Sequence, residues 1–289
     1  MPELPEVEFA RSVIERAALD RLVVDVDDTD TYVCRPHRPG DIRAALLGRR
    51  LTAAHRRGKT MWCDTDTDTD TDGGGGDQGG GGGPVLGIHL GMSGKIVIAD
   101  PDGHEIDGGD YWEGRRKPGD YRWARFTLTF ADGGRLLLVD PRRLGRIRLD
   151  PPLGALGPDA TAITGEAFTR AVTGGTAPVK GRLMDQHLIA GIGNLLADEI
   201  LWQARVDPRT PGDEIAGPEV ERLRVATRDA VGAALRDGGV HTLTIIAQRG
   251  PDGQCPRDGV PMAHGTVAGR TTWWCPAEQL RTAPGAAGG

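Results

Sequence analysis

The chain has 289 residues, 38% hydrophobic and 26% charged: apolar material for one large domain or two, with neither the roughly 18–20 consecutive apolar residues of a membrane span nor the basic-then-apolar start of a secretory leader. Four cysteines are too few for a disulfide scaffold, so a cytoplasmic location is expected. The net charge of −6 speaks against a nucleic-acid partner only as an average, because phosphate binding depends on local patches.

The opening segment predicts a helix. Pro5 suits its first turn, Glu6 and Glu8 complement its positive end, and Val7, Ala10, Val13, Ile14 and Ala17 recur at helical spacing. Strand patterns follow at Leu22 to Val26, Lys95 to Ala99, Phe126 to Phe130 and Leu136 to Val139, which suggests a β-sandwich-like first domain up to about residue 150. An Asp/Thr/Gly tract at 64–83 interrupts it, with nine glycines and no apolar residue, so it adds nothing to a core. Asp68, Asp70, Asp72 and Gly73 match the start of a calcium loop, but Gly79 stands where a bidentate Glu is needed, so a solvated insertion is expected. Six aspartates lie in this tract and no basic residue, and without them the formal charges cancel. The arginines cluster at Arg115-Arg116-Lys117 and from Arg142 to Arg148. Beyond Asp150-Pro151-Pro152 the pattern turns helical, at Phe168 to Val172, Leu183 to Ile189, Leu195 to Trp202 and Val220 to Leu235. From Leu243 a short hairpin module is expected, with Trp273 and Trp274 near its end and a frayed tail after it.

The first chemical candidate is the N-terminus. Removal of Met1 would leave Pro2 as a secondary amine with a reference pKa near 8, against about 10.4 for lysine, so far more of it is unprotonated at neutral pH. Such an amine can attack a carbonyl-like carbon and form a Schiff base, with Glu3 and Glu6 beside it as candidate proton donor and orienting group. Pro2 and Pro5 are also what the start of a helix requires. The glycines of Gly191-Ile192-Gly193-Asn194 precede a helix whose free N–H groups could hold a phosphate, while Asn194 could equally be its N-cap. A dinucleotide fingerprint is the rival there, but its third glycine would fall at Leu196.

The opening PELPEVE resembles the signature of the formamidopyrimidine-DNA glycosylase and endonuclease VIII family. Further segments resemble family motifs in the family's order: Arg56-Arg57-Gly58-Lys59, His89 to Gly94, Asp140 to Gly145, Asp185-Gln186 with Gly191 to Asn194 and Ala197-Asp198-Glu199, and Gly269-Arg270-Thr271-Thr272. The resemblance implies an α+β fold: a β-sandwich with a leading helix (1–150), a helix–two-turn–helix domain (151–242), a finger-like β-hairpin (243–281) and a flexible tail (282–289). It implies a bifunctional glycosylase and abasic-site lyase acting on oxidised purines in duplex DNA. Pro2 would be the nucleophile, Glu3 the proton donor, Lys59 a catalytic-site lysine and Glu6 a supporting group. Met92, Arg142 and Leu144 would fill the space left by the extruded base, and Asn194 and Arg270 would grip phosphates. The expected partner is damaged double-stranded DNA, bound by a monomer with no nucleotide cofactor, in the nucleoid-associated cytoplasm of a bacterium.

Two departures stand out. The family's finger commonly holds zinc on four cysteines, whereas the corresponding positions here are Cys255, Asp258, Cys275 and Glu278. Structural zinc prefers thiolate and imidazole, so a zincless finger packed by Trp273 and Trp274 is expected; if zinc were bound, those four residues would be its ligands, with His264 able to replace one oxygen. Leu144 stands where the purine-directed branch usually has phenylalanine; it can wedge but not stack, which opens the opposite-base preference. The alternatives are a glycosylase for oxidised pyrimidines or bulky lesions, and a damaged-DNA-binding protein that does not cut.

Overall fold

Helix α1 (Leu4–Ala17) opens the chain, with Pro5 and Glu6 in its first turn as the sequence dictates. The description rests on a computed structural model that covers residues 2–67, 82–110 and 116–281. The greater part of the Asp/Thr/Gly tract with its calcium-loop reading, Arg115, and the tail expected to be flexible lie outside the described residues. The chain groups into two units, one of Met1–Pro2 and Glu6–Leu153, the other of Glu3–Pro5 and Gly154–Gly289.

In the first unit α1 is followed by β1 (Val23–Asp27), α2 (Asp41–Leu46), β2 (Leu51–Arg57), β3 (Thr60–Thr65), β4 (Leu86–His89), β5 (Lys95–Ala99), β6 (Glu105–Gly109), β7 (Ala124–Phe130), β8 (Arg135–Val139) and β9 (Arg146–Leu149). The strands form two antiparallel sheets, ordered β1-β7-β8-β5-β6 and β2-β3-β4-β9. Alternation decides which faces meet. Phe126, Leu128 and Phe130 of β7 and Leu136 and Leu138 of β8 join Met61, Cys63, Ile88 and Ile147 of the other sheet in one core, together with Val7, Ala10, Val13 and Ile14 of α1. On the opposite face of the larger sheet, Val97, Leu137 and Val139 form a small separate cluster. Helix α2 is preceded by Gly40, at a φ of 96°, which has no side chain with which to cap it. Asp28 supplies the missing acceptor from twelve residues upstream, taking the N–H groups of Gly40, Ile42 and Arg43 at 2.8, 3.0 and 3.1 Å.

The second unit contains α3 (Gly165–Thr173), α4 (Val179–Met184), α5 (Asn194–Ala204), α6 (Gly217–Asp237) and a hairpin of β10 (Ala263–Val267) with β11 (Arg270–Trp274). Thr164 caps α3 through its hydroxyl, and Gly238 ends α6 at a φ of 99°. Helix α5 is buried almost all round, with Leu196, Ala197, Ile200, Leu201 and Ala204 at the centre of the core and α4 and α6 against it. The helix expected from Leu183 to Ile189 is not formed. Helix α4 stops at Met184, and Asp185 to Gly193 make two turns held by Gln186, whose Nε2 donates to the carbonyls of Met184 and Ile192 and whose Oε1 accepts from the Gly191 N–H. Apolar spacing had suggested continuity; the side-chain amide competes with the helix for the backbone and wins.

Candidate active site

Within the first unit, Lys59 sits in a two-residue turn between β2 and β3, where Arg57 faces Thr60 and Gly58 takes a φ of 59°. Arg56 fixes that turn, donating through one nitrogen to the Gly58 carbonyl at 3.2 Å and through Nε to Glu8 at 2.8 Å. Glu8 lies on α1, so an ion pair joins the helix carrying the N-terminus to the turn carrying Lys59. Burial raises the Glu8 carboxyl, but hydrogen bonds from Arg11 and Arg56 outweigh it and hold the group below the usual carboxylate range. Pro2 and Glu6 are both buried.

The loops bearing Met92 and Leu144 are built as a pair. Asp140, fully buried, accepts from the Ser93 hydroxyl at 2.6 Å, the Arg142 N–H at 3.1 Å and the Gly145 N–H at 2.7 Å. One carboxylate thus shapes the 140–145 loop and ties it to the 89–94 loop. Gly91 completes the fit. Its φ is 63°, and a Cβ there would lie 2.3 Å from the Leu144 carbonyl carbon. Arg142 is exposed at the loop, whereas Arg143, at a φ of 55°, makes a bidentate pair with Asp30. Met92 and Leu144 are half-buried.

In the second unit, Glu3 meets the start of α5. Its carboxylate accepts from Gly193 N–H at 2.9 Å, Leu195 N–H at 2.8 Å and Leu196 N–H at 3.1 Å, three of the donors that a helix start leaves unpaired. The cap of α5 therefore comes from the far end of the sequence. Asn194 is not the N-cap but the first helical residue, and its Nδ2 donates to the Thr271 carbonyl at 3.1 Å. A Cβ at Gly193 would lie 2.3 Å from the Glu3 carboxyl carbon, which explains that glycine. Arg270 is exposed directly after the turn Ala268-Gly269, where both residues have positive φ.

The finger departs from a four-ligand site. Cys255, Asp258 and Cys275 bring one ligand atom each within 4.8 Å of one another, but Glu278 is not among them. Its carboxylate accepts from Arg205 at 3.0 Å and Arg257 at 3.1 Å. His264 stacks on Trp273 at 4.6 Å. Burial, with smaller contributions from neighbours, pushes the Cys275 thiol up to about 11, away from the thiolate that zinc requires. Two thiols and one carboxylate beside two guanidinium groups do not fit structural zinc. Trp202 takes a place that sequence reading gave only to helix packing: it lies with Ile245, Cys255, Met262, Trp273 and Cys275 in a small core, under the guanidinium of Arg257 at 3.9 Å. Trp274 lies apart from that core, covered by Arg209 at 4.7 Å. Lys180 and Asp198, both wholly buried and 2.6 Å apart, were also unmarked as a pair, because a lysine on a short helix reads as solvent-facing.

Two outcomes follow from these loops. Gly91→Ala should force the Met92 and Leu144 loops apart and lower the kcat/KM for strand cleavage by about 10²-fold, the usual cost of an ångström-scale misplacement. Near-normal kcat/KM would show that the close approach is dispensable. His89 accepts the Gly91 N–H at Nδ1, 3.0 Å away, and burial together with nearby Lys59 lowers its pKa from 6.5. The unfolded chain then binds the extra proton first, so this stability is full above the unfolded pKa and is lost as pH falls through the interval below it. Urea unfolding at about pH 7 and pH 5 should show a loss that is smaller in His89→Gln. An equal loss in both proteins would remove His89 as its source.

Comparisons with known proteins place the chain in a family. Residues 1–147 match the formamidopyrimidine-DNA glycosylase N-terminal domain and residues 155–244 the formamidopyrimidine-DNA glycosylase H2TH domain. The formamidopyrimidine-DNA glycosylase of a Nocardioides species is 32% identical over 96% of this chain and 93% of its own length. That of Chloroflexus aurantiacus is 30% identical over 97% and 98%. A crystal structure of the LlFpg protein with a THF-DNA and an inhibitor superposes with a TM-score of 0.76 at 25% identity, covering 97% of this chain and 100% of the other. The chain belongs to the formamidopyrimidine-DNA glycosylase family.

Proposed function

We propose that this chain is a bifunctional DNA glycosylase and abasic-site lyase that removes oxidised purines, 8-oxoguanine and formamidopyrimidines among them, from duplex DNA. The observation that carries the reading is the match of both parts of the chain, in order, to the two domains of one glycosylase family. The domain limits suggested by the sequence, 1–150, 151–242 and 243–281, remain part of this proposal. Damaged DNA is the partner, as it is in the complex of Lactococcus lactis Fpg with an N7-benzyl-Fapy-dG DNA. A bacterial cytoplasmic location belongs to the same reading, and among the described residues no helix is long and apolar enough to cross a membrane.

The assignments to residues are these. Extruding a nucleotide from the duplex costs a few kcal/mol. Met92, Arg142 and Leu144 offset that cost by occupying the gap, and the shared Asp140 clamp keeps their two loops in register. With Met1 removed, the Pro2 amine attacks C1′ of the sugar; the C–N bond to the base breaks and the base leaves with its electron pair and a proton. Glu3, fixed by three backbone N–H groups, delivers a proton to the ring oxygen as the ring opens into the Schiff base. The iminium acidifies the C2′ proton, and its loss expels the 3′ phosphate; a second elimination expels the 5′ phosphate. Glu6 supports the lesion site, and Lys59, Asn194 and Arg270 bind the flanking phosphates. Leu144 presents no aromatic face to the opposite base, which favours relaxed opposite-base discrimination and admits oxidised pyrimidines as a second substrate class.

Borohydride trapping with duplexes carrying 8-oxoguanine, an oxidised pyrimidine or an abasic site tests the assignment. An adduct mapping to Pro2 on the 8-oxoguanine duplex is expected, with strand cleavage lost by at least about 10²-fold in Pro2→Gly and Glu3→Gln. Trapping restricted to the pyrimidine duplex would move the substrate class, and no adduct on any duplex by protein lacking Met1 would leave a non-cutting damage reader. The finger is zincless in this proposal. Elemental analysis should find zinc well below one per chain, and chelation should leave DNA affinity unchanged; stoichiometric zinc would overturn it.

A further inference from the structure

β11 is held at four consecutive residues, three of them through the backbone and Thr272 through its hydroxyl, by a buried polar cluster. Asp198 of α5 accepts Lys180 Nζ on Oδ1 at 2.6 Å, and on Oδ2 it accepts Arg249 Nε at 2.9 Å and the Trp273 N–H at 3.3 Å. Lys180 also donates to the Thr272 hydroxyl at 2.7 Å, and that hydroxyl donates to the Arg270 carbonyl at 2.9 Å. The Thr271 carbonyl receives Asn194 Nδ2 at 3.1 Å, Arg249 at 3.2 Å and Lys180 at 3.4 Å. Lys180, Asp198 and Thr272 are each 1% exposed or less. Gly181, next to Lys180, leaves space for Ala268, the first residue of the hairpin turn: a Cβ on Gly181 would lie 3.0 Å from the Ala268 methyl.

A buried carboxylate is tolerated only with its donors in place, so this cluster has one arrangement and not a range of them. Two residues assigned above to phosphate binding, Asn194 and Arg270, sit at its edge. Asn194 spends one of its two amide donors on Thr271, the residue immediately after Arg270. From this geometry we infer that Asp198 is a positioning residue which, through Lys180, Thr272 and the Trp273 N–H, locks the Arg270 end of β11 to the first turn of α5, so that Arg270 and Asn194 meet DNA as one phosphate-binding unit. The inference rests on the proposed phosphate contact of Arg270 and adds the element that aims it. It also accounts for a finger tip held in place by protein groups alone.

A double-mutant cycle on the full chain tests it, with affinity for a duplex carrying a non-cleavable abasic analogue measured across a salt series. Arg270→Ala should weaken binding about tenfold and reduce the slope of log K against log salt by about 0.9, the signature of one lost phosphate contact. Asp198→Asn should produce the same two changes, and Asp198→Asn with Arg270→Ala should be no weaker than Arg270→Ala alone. In steady-state assays on an abasic duplex the Asp198→Asn loss should fall on KM. Fully multiplicative losses, or an unchanged salt slope in Asp198→Asn, would overturn the positioning role. If Arg270→Ala binds normally, the phosphate reading itself fails, a result distinct from the first. Thr272→Val, which removes one hydroxyl without stranding a charge, carries the same cycle should Asp198→Asn not fold: a loss of about threefold shared with Arg270→Ala is expected, and an independent loss or none overturns the inference.

Discussion

A carboxylate removed from water has to be met by hydrogen-bond donors, and the irregular parts of this protein are arranged around four that are. Asp28 supplies the start of α2, Glu3 the start of α5, Asp140 the two loops of the first unit, and Asp198 the β11 backbone. For Asp28 and Glu3 the donors are main-chain N–H groups, for Asp140 two N–H groups and a hydroxyl, and for Asp198 two cationic side chains and one N–H. The first three fix the path of a segment that lacks a ladder of its own, and Asp198 anchors a strand whose ladder has only one partner. Truncating any one leaves hydrogen-bond donors unpaired, at roughly 1–3 kcal/mol for each buried one, so these positions matter more than their number suggests.

The two units divide the expected chemistry. The sandwich carries Pro2, Glu6, Lys59, Met92, Arg142 and Leu144 at turns, in loops or near a helix start, with Pro2 and Glu6 buried and Arg142 exposed. The helical unit carries Asn194 and Arg270, and Glu3 is grouped with it although it follows Pro2 directly. Sheet registers hold the loop ends, and glycines admit approaches no side chain would allow: Gly91 against Leu144, Gly193 against Glu3. Exposed ends on rigid elements suit residues that must meet a polyanion without reorganising.

The finger hairpin is anchored by protein contacts of modest individual strength. A structural zinc contributes about 10–16 kcal/mol in small zinc-finger peptides, far more than any single contact seen here. A cation–π contact such as Arg257 over Trp202 contributes about 0.5–2 kcal/mol. The hairpin is attached at many points: the Trp202 and Trp273 core, the Glu278 ion pairs, the Gln279 amide between Cys275 and Val206, and the Asp198 cluster. Because those contacts reach α5 and the segment after it, the hairpin does not have to fold alone.

The sequence by itself determined the parts governed by short-range pattern. The leading helix, the strands at Lys95 to Ala99 and Leu136 to Val139, the helix from Leu195 and the mixed α+β class follow from spacing and turn chemistry, and the ordered motifs supplied the family. Tertiary structure decided where a side chain acts across distance. Nothing near Asn194 signals that Glu3, nearly two hundred positions earlier, caps its helix, and so the local reading offered Asn194 as a cap beside its phosphate reading. Apolar spacing from Leu183 to Ile189 could not reveal that the Gln186 amide would take the backbone groups a helix needs. Lys180 reads as solvated until α5 and β11 are folded around it. Periodicity is a property of neighbours in sequence, whereas desolvation and hydrogen-bond satisfaction are properties of neighbours in space, and only the folded chain brings the second kind together.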